Sequence, residues 1–157
     1  MPSNGITVRT PKVYEAAKIA DLIKTFSKNN LMLERSVENV ISNIRNFLIA
    51  VEGGEIIGCC AISFFSTDLA EIRSVAVDEK RQKMGIGKIL IENAEKILKD
   101  EEVKKSFVLT RSPEFFKKIG YSEVSKNQFP QKIWRDCTSC PFLMECDEIA
   151  MEKILIE

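Results

Sequence analysis

Residues 75–90 combine two glycines with cationic side chains directly after an apolar stretch. The pattern predicts a strand that runs into a glycine-containing loop, and the loop opens an amphipathic helix. Gly85 and Gly87 allow the backbone to approach a ligand closely, while the first N–H groups of a helix and its positive dipole end attract anions. Lys83 and Lys88 add positive charge at the same place. The chemistry that this arrangement favours is the binding of a phosphate group.

Two widespread phosphate-binding patterns are excluded by the residues around these glycines. Ile89 follows the lysine, so the loop lacks the Ser or Thr that closes a P-loop. The dinucleotide-binding pattern requires a third glycine where Leu90 stands. A tight turn without a ligand stays open as the alternative, because glycine is a common turn residue.

Length and composition indicate one domain of ordinary globular character. A chain of 157 residues with 45% apolar content can bury one substantial core. Lys plus Arg equals Asp plus Glu, at 23 each, so the charge balance favours neither a nucleic acid nor a membrane surface as a partner. The apolar runs are too short to span a bilayer and the first residues do not resemble a signal peptide, so we expect a cytoplasmic protein.

Hydrophobic periodicity predicts an α/β (α+β) chain. The order is β, α, α, three strands, α, β, α and two final strands, with a Gly-Gly hairpin at residues 52–55. Helices are predicted within residues 13–26, 36–44, 86–98 and 112–118. Strands are predicted within residues 6–10, 47–51, 56–65, 71–77, 106–110, 121–124 and 149–156. We expect a single domain over residues 1–157, interrupted by a Cys-containing insertion at about 127–147.

Two motifs resemble those of the GCN5-related N-acetyltransferases (GNAT), which bind acetyl-CoA. Residues 82–87 (QKMGIG) resemble the pyrophosphate-binding loop Q/R-x-x-G-x-G of that family, and residues 115–121 (FFKKIGY) resemble its second signature. The element order resembles that of the family over essentially the whole chain. The resemblance implies acetyl-CoA as cosubstrate and the GNAT fold, a mixed, mostly antiparallel central sheet of about six to seven strands flanked by helices.

The same resemblance assigns residues to the cofactor. Members of the family hold the pantetheine arm against the strand before the loop, where a bulge frees amide and carbonyl groups. Phe116 stands where many members have a tyrosine that protonates the CoA thiolate, so Phe116 cannot do that and is expected to pack beside the arm. The cofactor-binding residues implied are Val75, Val77, Gln82, Lys83, Met84, Gly85, Ile86, Gly87, Lys88 and Phe116.

Transfer of an acetyl group to an amine requires a base, because the amine must lose a proton. The chain contains no histidine. The resemblance implies Glu71 as the general base, since several acetyltransferases have a glutamate at the start of the strand before the loop. A solvent-facing carboxylate paired with a lysine is the alternative. Alternation along the strand predicts that Arg73, Val75 and Val77 share the face of Glu71.

A closer resemblance concerns the acceptor. Three segments resemble the acetyltransferase domain of N-acetylglutamate synthases, which acetylate glutamate in the first step of arginine biosynthesis. Glutamate has two carboxylates, and guanidinium groups bind carboxylates bidentately. The resemblance therefore implies that Arg35, Arg73 and Arg111 bind the substrate, with Arg35 and Arg111 favoured. The three segments are residues 31–36, 70–77 and 107–112.

The insertion contains a C-x-x-C-x5-C pattern formed by Cys137, Cys140 and Cys146. Such spacing is compatible with zinc, although a tetrahedral site needs a fourth ligand and the chain has no histidine. Reduced thiols, which the cytosol favours, and a redox-dependent disulfide stay open as alternatives. Short stand-alone synthases have a similar segment, so we expect it to lie over the acceptor end of the cleft, where Lys132 assists carboxylate binding.

The predicted function is acetyl-CoA-dependent acetylation of the α-amine of L-glutamate by a stand-alone domain that forms a homodimer. Acetylation of another amine, in a peptide, a protein or a small molecule, is the first alternative. A non-catalytic CoA-binding or redox-sensing module is the second.

Overall fold

The computed structural model describes residues 5–30, 34–82, 84–129 and 148–157. Seven strands form one sheet in the order β1-β2-β3-β4-β5-β7-β6, in which β4 and β5 are parallel and the other described pairs are antiparallel. The predicted fold class is confirmed. The strands are β1 (Ile6–Arg9), β2 (Phe47–Glu52), β3 (Glu55–Phe64), β4 (Leu69–Val77), β5 (Lys105–Thr110), β6 (Ser122–Val124) and β7 (Ile149–Ile154). The helices are α1 (Ala16–Asn30), α2 (Val37–Ser42), α3 (Ile86–Asp100) and α4 (Pro113–Lys118).

The chain divides into two compact units, of which the first contains residues 1–63 and 72–97. An apolar cluster of this unit forms because the apolar residues of α1 recur at helical spacing and meet those of α2, β2 and β3. On β3, a Cβ added at Gly58 would lie 3.1 Å from side-chain atoms of both Ile86 and Leu90. The absence of a side chain at Gly58 therefore lets α3 lie directly on the strand. Members of the cluster are Ile19, Ile23, Val40, Phe47, Ile49 and Cys59.

The second unit contains residues 64–71 and 98–157. Phe107 of β5 stacks on Phe129 with ring centroids 4.1 Å apart, and Ala150 of β7 completes this small cluster. Tyr121 is buried, and its hydroxyl lies 2.6 Å from that of Ser106. The single domain that the sequence predicts over residues 1–157 stays a prediction, as does the homodimer. No helix within the described ranges is long and apolar enough to cross a membrane.

Several boundaries differ from the prediction, and local contacts explain two of the differences. A 3-10 turn, Val13–Glu15, precedes α1, since the carboxylate of Glu15 accepts a hydrogen bond from the backbone N–H of Lys12 at 2.7 Å. Helix α2 ends at Ser42, followed by a 3-10 turn, Ile44–Asn46. Strand β4 begins at Leu69, because residues 69–71 already pair with β5.

A bidentate ion pair between Arg9 and Glu15 stabilises the 3-10 turn, and its pH dependence can be tested. Both guanidinium Nη atoms of Arg9 lie 2.9 Å from the carboxylate oxygens of Glu15. The hydrogen bond from Arg9 is the main cause that lowers the pKa of Glu15 from 4.5 to about 2. Because the pKa is lower in the folded state, the pair stabilises the protein fully above pH about 5 and loses its contribution as the pH falls towards 2.

We therefore expect Glu15→Gln to lower the free energy of unfolding by about 1 kcal/mol at neutral pH. The difference between the wild type and the variant should shrink as the pH falls from about 5 to about 2. Urea unfolding followed by circular dichroism at a series of pH values measures it. A difference that stays constant down to the lowest pH would contradict the assignment.

Candidate active site

Strand β4 contains a non-glycine residue in the left-handed region, Ser74, whose φ is +54°. A left-handed residue inside a strand is typical of a β-bulge, which interrupts pairing and turns backbone groups away from the ladder. Among the described residues, the ladder between β4 and β5 ends at the pair Glu71↔Phe107. The N–H and C=O groups that follow Glu71 therefore lie outside this ladder, which is the property that the resemblance requires of the strand before the loop.

Burial along β4 departs from the predicted alternation. Ala70, Glu71 and Ile72 are buried in succession, whereas Arg73, Ser74 and Val75 are partly exposed. Arg73, Val75 and Val77 are all partly exposed, whereas Ile72 and Ala76 are buried, and the face that Glu71 is predicted to share with these three residues stays a prediction. The reading of Glu71 as a solvent-facing carboxylate is wrong, since its exposed fraction is 2%.

The loop after β4 ends at the first turn of α3. The first bond of this helix runs from the N–H of Ile89 to the carbonyl of Gly85 at 3.0 Å. The N–H groups of Ile86, Gly87 and Lys88 therefore have no acceptor within the helix, and they lie at the positive end of its dipole. The first turn carries no acidic residue. Helix α3 thus begins as an anion-binding terminus.

The conformation of Gly85 keeps that terminus accessible. Its φ is +77°, and a Cβ added there would meet nothing within 4 Å. The side-chain amide of Gln82 donates to the carbonyl of Val77 at 3.3 Å, which ties the loop back to β4. Ile86 is buried, so that only its backbone is suited to a ligand, whereas Met84 and Lys88 are exposed. Lys83 lies outside the described residues.

Arg35 is held by three elements of the first unit. Its Nε donates to Oδ1 of Asn39 in α2 at 2.7 Å, and its Nη1 donates to Oγ of Ser74 in β4 at 3.0 Å. Its Cζ also lies 5.0 Å from the ring centroid of Phe47 in β2, a cation–π distance. The structure thus brings Arg35 together with the bulge, and its binding of a substrate stays a prediction.

The bulge has a second side-chain contact on its backbone. The thiol of Cys59 in β3 donates to the carbonyl of Ser74 at 3.5 Å. Burial is the main cause that raises the pKa of Cys59 to about 12, so the thiol keeps its proton at neutral pH. Ser74, Asn39 and Cys59 have no motif of their own, and sequence reasoning did not assign them a role.

The other two arginines predicted to bind the substrate differ in their surroundings. Arg111 follows β5, and its Nη1 lies 3.5 Å from Oε2 of Glu148, with side-chain exposed fractions of 24% and 30%. Arg73 is partly exposed on β4. Lys132 lies outside the described residues. For all three residues, substrate binding stays a prediction.

The second signature forms an aromatic cluster. Phe116 is buried and contacts the edges of Phe115 and Tyr121, with ring centroids 5.0 and 5.4 Å away. The expectation that Phe116 packs is confirmed, and its contact with the CoA arm stays a prediction. Because the Tyr121 hydroxyl is buried against Ser106, this tyrosine belongs to the core.

The zinc hypothesis concerns Cys137, Cys140 and Cys146, which all lie outside the described residues. Within the described ranges, no group of His, Cys, Asp and Glu side chains is arranged to hold a metal ion. Cys59 and Cys60 are buried free thiols.

These two thiols give a prediction about reactivity. Burial raises the pKa of both, and the thiolate is the nucleophile. We expect Cys59 and Cys60 to resist iodoacetamide at about pH 8 in the native protein and to react after denaturation. Peptide mapping by mass spectrometry measures the labelling of each site. Labelling of Cys59 in the native state at the denatured rate would show that the strand opens.

Comparison with known proteins decides the family. Residues 15–121 match the model of the acetyltransferase (GNAT) family. The chain belongs to this family. It is 50% identical over 155 residues to an uncharacterized N-acetyltransferase of Chlorobaculum tepidum, covering 99% of this chain and 100% of the relative. It is 29% identical over 120 residues to an amino-acid acetyltransferase of Mycobacterium tuberculosis, covering 74% of this chain and 68% of the relative.

Solved structures agree with the GNAT assignment. Rv2747 from Mycobacterium tuberculosis in complex with CoA has a TM-score of 0.81 at 25% identity, covering 96% of this chain and 99% of that chain. N-acetylglutamate synthase from Neisseria gonorrhoeae, complexed with coenzyme A and N-acetyl-glutamate, has a TM-score of 0.86 at 24% identity. The match covers 97% of this chain and 35% of the synthase, and it shows the GNAT fold alone. The protein is therefore a GNAT N-acetyltransferase.

Proposed function

We propose that this N-acetyltransferase transfers the acetyl group of acetyl-CoA to the α-amine of L-glutamate. The observation that carries the proposal is the bond between Arg35 and Ser74. It places a guanidinium, the group best suited to a carboxylate, on the bulge of the strand whose backbone the family offers to the cofactor. Relatives named as amino-acid acetyltransferases support an amino acid as acceptor.

The donor fits the residues around the start of α3. Helix N-terminal N–H groups bind phosphate oxygens, and the left-handed Gly85 lets the main chain approach them without a side chain in between. Lys88 adds an exposed positive charge. The backbone groups of β4 after Glu71 are suited to the amides of the pantetheine arm, because they lie outside the β4–β5 ladder.

The reaction requires a deprotonated amine and a leaving thiolate. Bound acetyl-CoA supplies the thioester: the amine nitrogen forms a bond to its carbonyl carbon, and the carbon–sulfur bond breaks. Glu71, a buried carboxylate, accepts the proton that the acceptor ammonium loses before it attacks, directly or through one water. The nitrogen loses a second proton when the amide forms, and this proton balances the one that the thiolate takes up. Phe116 has no proton to donate, so the departing CoA thiolate takes its proton from solvent.

Arg35 and Arg111 bind the carboxylates of the acceptor in this proposal. Arg111 already lies 3.5 Å from a carboxylate of the same chain, that of Glu148. A guanidinium with such a partner is suited to exchange it for a substrate carboxylate, since both present the same pair of oxygens. Acetylation of glutamate would make this reaction the first step of arginine biosynthesis.

A thiol-release assay with single acceptors tests the proposal. We expect acetyl-CoA cleavage with L-glutamate to exceed that with glutamine, aspartate, lysine, a lysine peptide or spermidine by at least about tenfold in kcat/KM, because only glutamate offers both carboxylates at this spacing. Faster turnover of a peptide or polyamine amine would overturn glutamate as the acceptor. Binding of CoA without thiol release for any amine would indicate a non-catalytic module.

A further inference from the structure

Arg35 is anchored by contacts with three elements of the first unit. Its Nε donates to Asn39 and its Nη1 donates to Ser74, and its guanidinium lies over the ring of Phe47. Phe47 is fully buried, so one side of the guanidinium rests on a fixed apolar surface. A mobile arginine side chain loses conformational entropy when it binds a ligand, whereas a side chain that is already ordered loses little.

The acceptor of the Nη1 hydrogen bond belongs to an unusual backbone. Ser74 has a left-handed backbone conformation, with a φ of +54°. Serine adopts this conformation rarely, because it costs free energy that contacts with the surrounding structure must offset. Arg35 donates to its hydroxyl and Cys59 donates to its carbonyl, so these two groups of the residue have partners on neighbouring elements. The hydrogen bond between Arg35 and Ser74 therefore connects the backbone geometry of the bulge to the orientation of the guanidinium.

The hydrogen bond from Nε of Arg35 to Asn39 holds the second side of the guanidinium. Asn39 lies in the first turns of α2, and its own N–H donates to Oγ of Ser36, the N-cap of that helix, at 3.0 Å. Its exposed side chain contributes to no apolar cluster of the described residues. The side chain of Asn39 accepts a hydrogen bond from Nε of Arg35 at 2.7 Å. We therefore expect its removal to affect Arg35 more than folding.

We propose that Asn39 and Ser74 are positioning residues that orient the guanidinium of Arg35 for the carboxylate of the acceptor. This inference rests on the proposed function, because it assumes that Arg35 meets a carboxylate. Asn39 sets the direction of Nε and Ser74 sets that of Nη1, so the plane of the guanidinium has one orientation. The hydrogen bond between Arg35 and Ser74 thus connects the binding of glutamate to the strand that holds acetyl-CoA in the proposed function.

Kinetics of variants separate positioning from folding. We expect Asn39→Ala and Ser74→Gly each to raise the KM for glutamate about tenfold, the effect of one lost charge-assisted hydrogen bond, and to leave the KM for acetyl-CoA within about twofold. Ser42→Ala is the matched control, since it also removes a polar side-chain bond from α2, that of the Ser42 hydroxyl to the carbonyl of Glu38 at 3.1 Å, without touching Arg35.

Two comparisons identify the route of the effect. Glycine adopts the left-handed conformation freely and alanine does not, so Ser74→Ala should show the same rise in KM as Ser74→Gly together with a lower melting temperature. In an Arg35→Ala background, Asn39→Ala should have no further effect on the KM for glutamate, because it acts through the arginine. An undiminished effect in that background, or a wild-type KM in both Asn39→Ala and Ser74→Gly, would overturn the proposal while glutamate acetylation stands.

A measurement without an acceptor distinguishes this failure from failure of the proposed function. We expect the Nε–H cross-peak of Arg35 in a 15N NMR spectrum, assigned by its loss in Arg35→Lys, to exchange slowly with solvent in the wild type. The same cross-peak should broaden in Asn39→Ala and in Ser74→Gly. If the wild type acetylates no glutamate, the proposed function fails, and a cross-peak that is unchanged in both variants overturns the anchoring of Arg35 as well.

Discussion

Replacing Glu71 by glutamine is expected to lower kcat for glutamate acetylation by a factor of about 10² to 10³. Glutamine has nearly the same shape as glutamate and keeps one acceptor oxygen, but its amide cannot accept the proton of the ammonium. Glu71 is 2% exposed at the end of the β4–β5 ladder, so bulk water does not readily replace it. Because the substitution does not alter the loop, the KM for acetyl-CoA should stay within about twofold.

A second strand carboxylate provides the matched control. Phe107 of β5 pairs with Glu71 on one side and with Glu152 of β7 on the other. Oε1 of Glu152 lies 3.1 Å from Nζ of Lys105. Glu152→Gln makes the same chemical change one strand away, and we expect it to keep kcat within about threefold of the wild type. Steady-state thiol release against pH measures both variants. A Glu71→Gln enzyme with wild-type kcat would show that the base is another group.

Replacing Arg111 by alanine is expected to raise the KM for glutamate about a hundredfold, with a smaller change in kcat. A truncated guanidinium–carboxylate contact costs about 3 kcal/mol when it is partly desolvated, and that energy corresponds to about two powers of ten. Arg111→Lys keeps the charge but loses the planar fork, so we expect an intermediate rise of about tenfold. The KM for acetyl-CoA should be unaffected in both variants.

Glu148 determines whether the effect concerns the substrate. In the folded protein its carboxylate lies 3.5 Å from Arg111, so a substrate carboxylate competes with it. Glu148→Gln removes the competing charge and should lower the KM for glutamate by about two- to threefold. Initial rates over a range of glutamate concentrations measure all three variants. A rise in KM for Glu148→Gln that matches the rise for Arg111→Ala would show that the pair only supports the fold.

The elements of the chain could be predicted because each carries its own local signal. Helix α3 has apolar residues at helical spacing, and the β2–β3 hairpin has two adjacent glycines in left-handed conformations, at φ +58° and +81°. The loop before α3 was recognisable because it contains glycine at position 85, where the backbone has a φ of +77° that favours glycine. Signals of this kind depend on neighbours in sequence and survive without tertiary context.

The bulge and its contacts could not be predicted in the same way. Serine is not a residue typical of left-handed backbone, so Ser74 gave no sign of the break in β4. Arg35 and Ser74 are 39 positions apart, and only the folded first unit brings them within 3.0 Å. For the same reason the burial of Glu71 was open between two readings, since alternation within one strand cannot show which residues a second layer covers.

One measurement tests the central claim, that glutamate is the acceptor, most directly. A single reaction would contain the wild-type enzyme, limiting acetyl-CoA and an equimolar mixture of the common amino acids with spermidine and a lysine peptide, and mass spectrometry would identify the acetylated products. We predict that N-acetyl-glutamate dominates and that much less of it forms in the same time with Glu71→Gln or Arg111→Ala. Acetyl groups found mainly on another amine, with N-acetyl-glutamate absent, would contradict it.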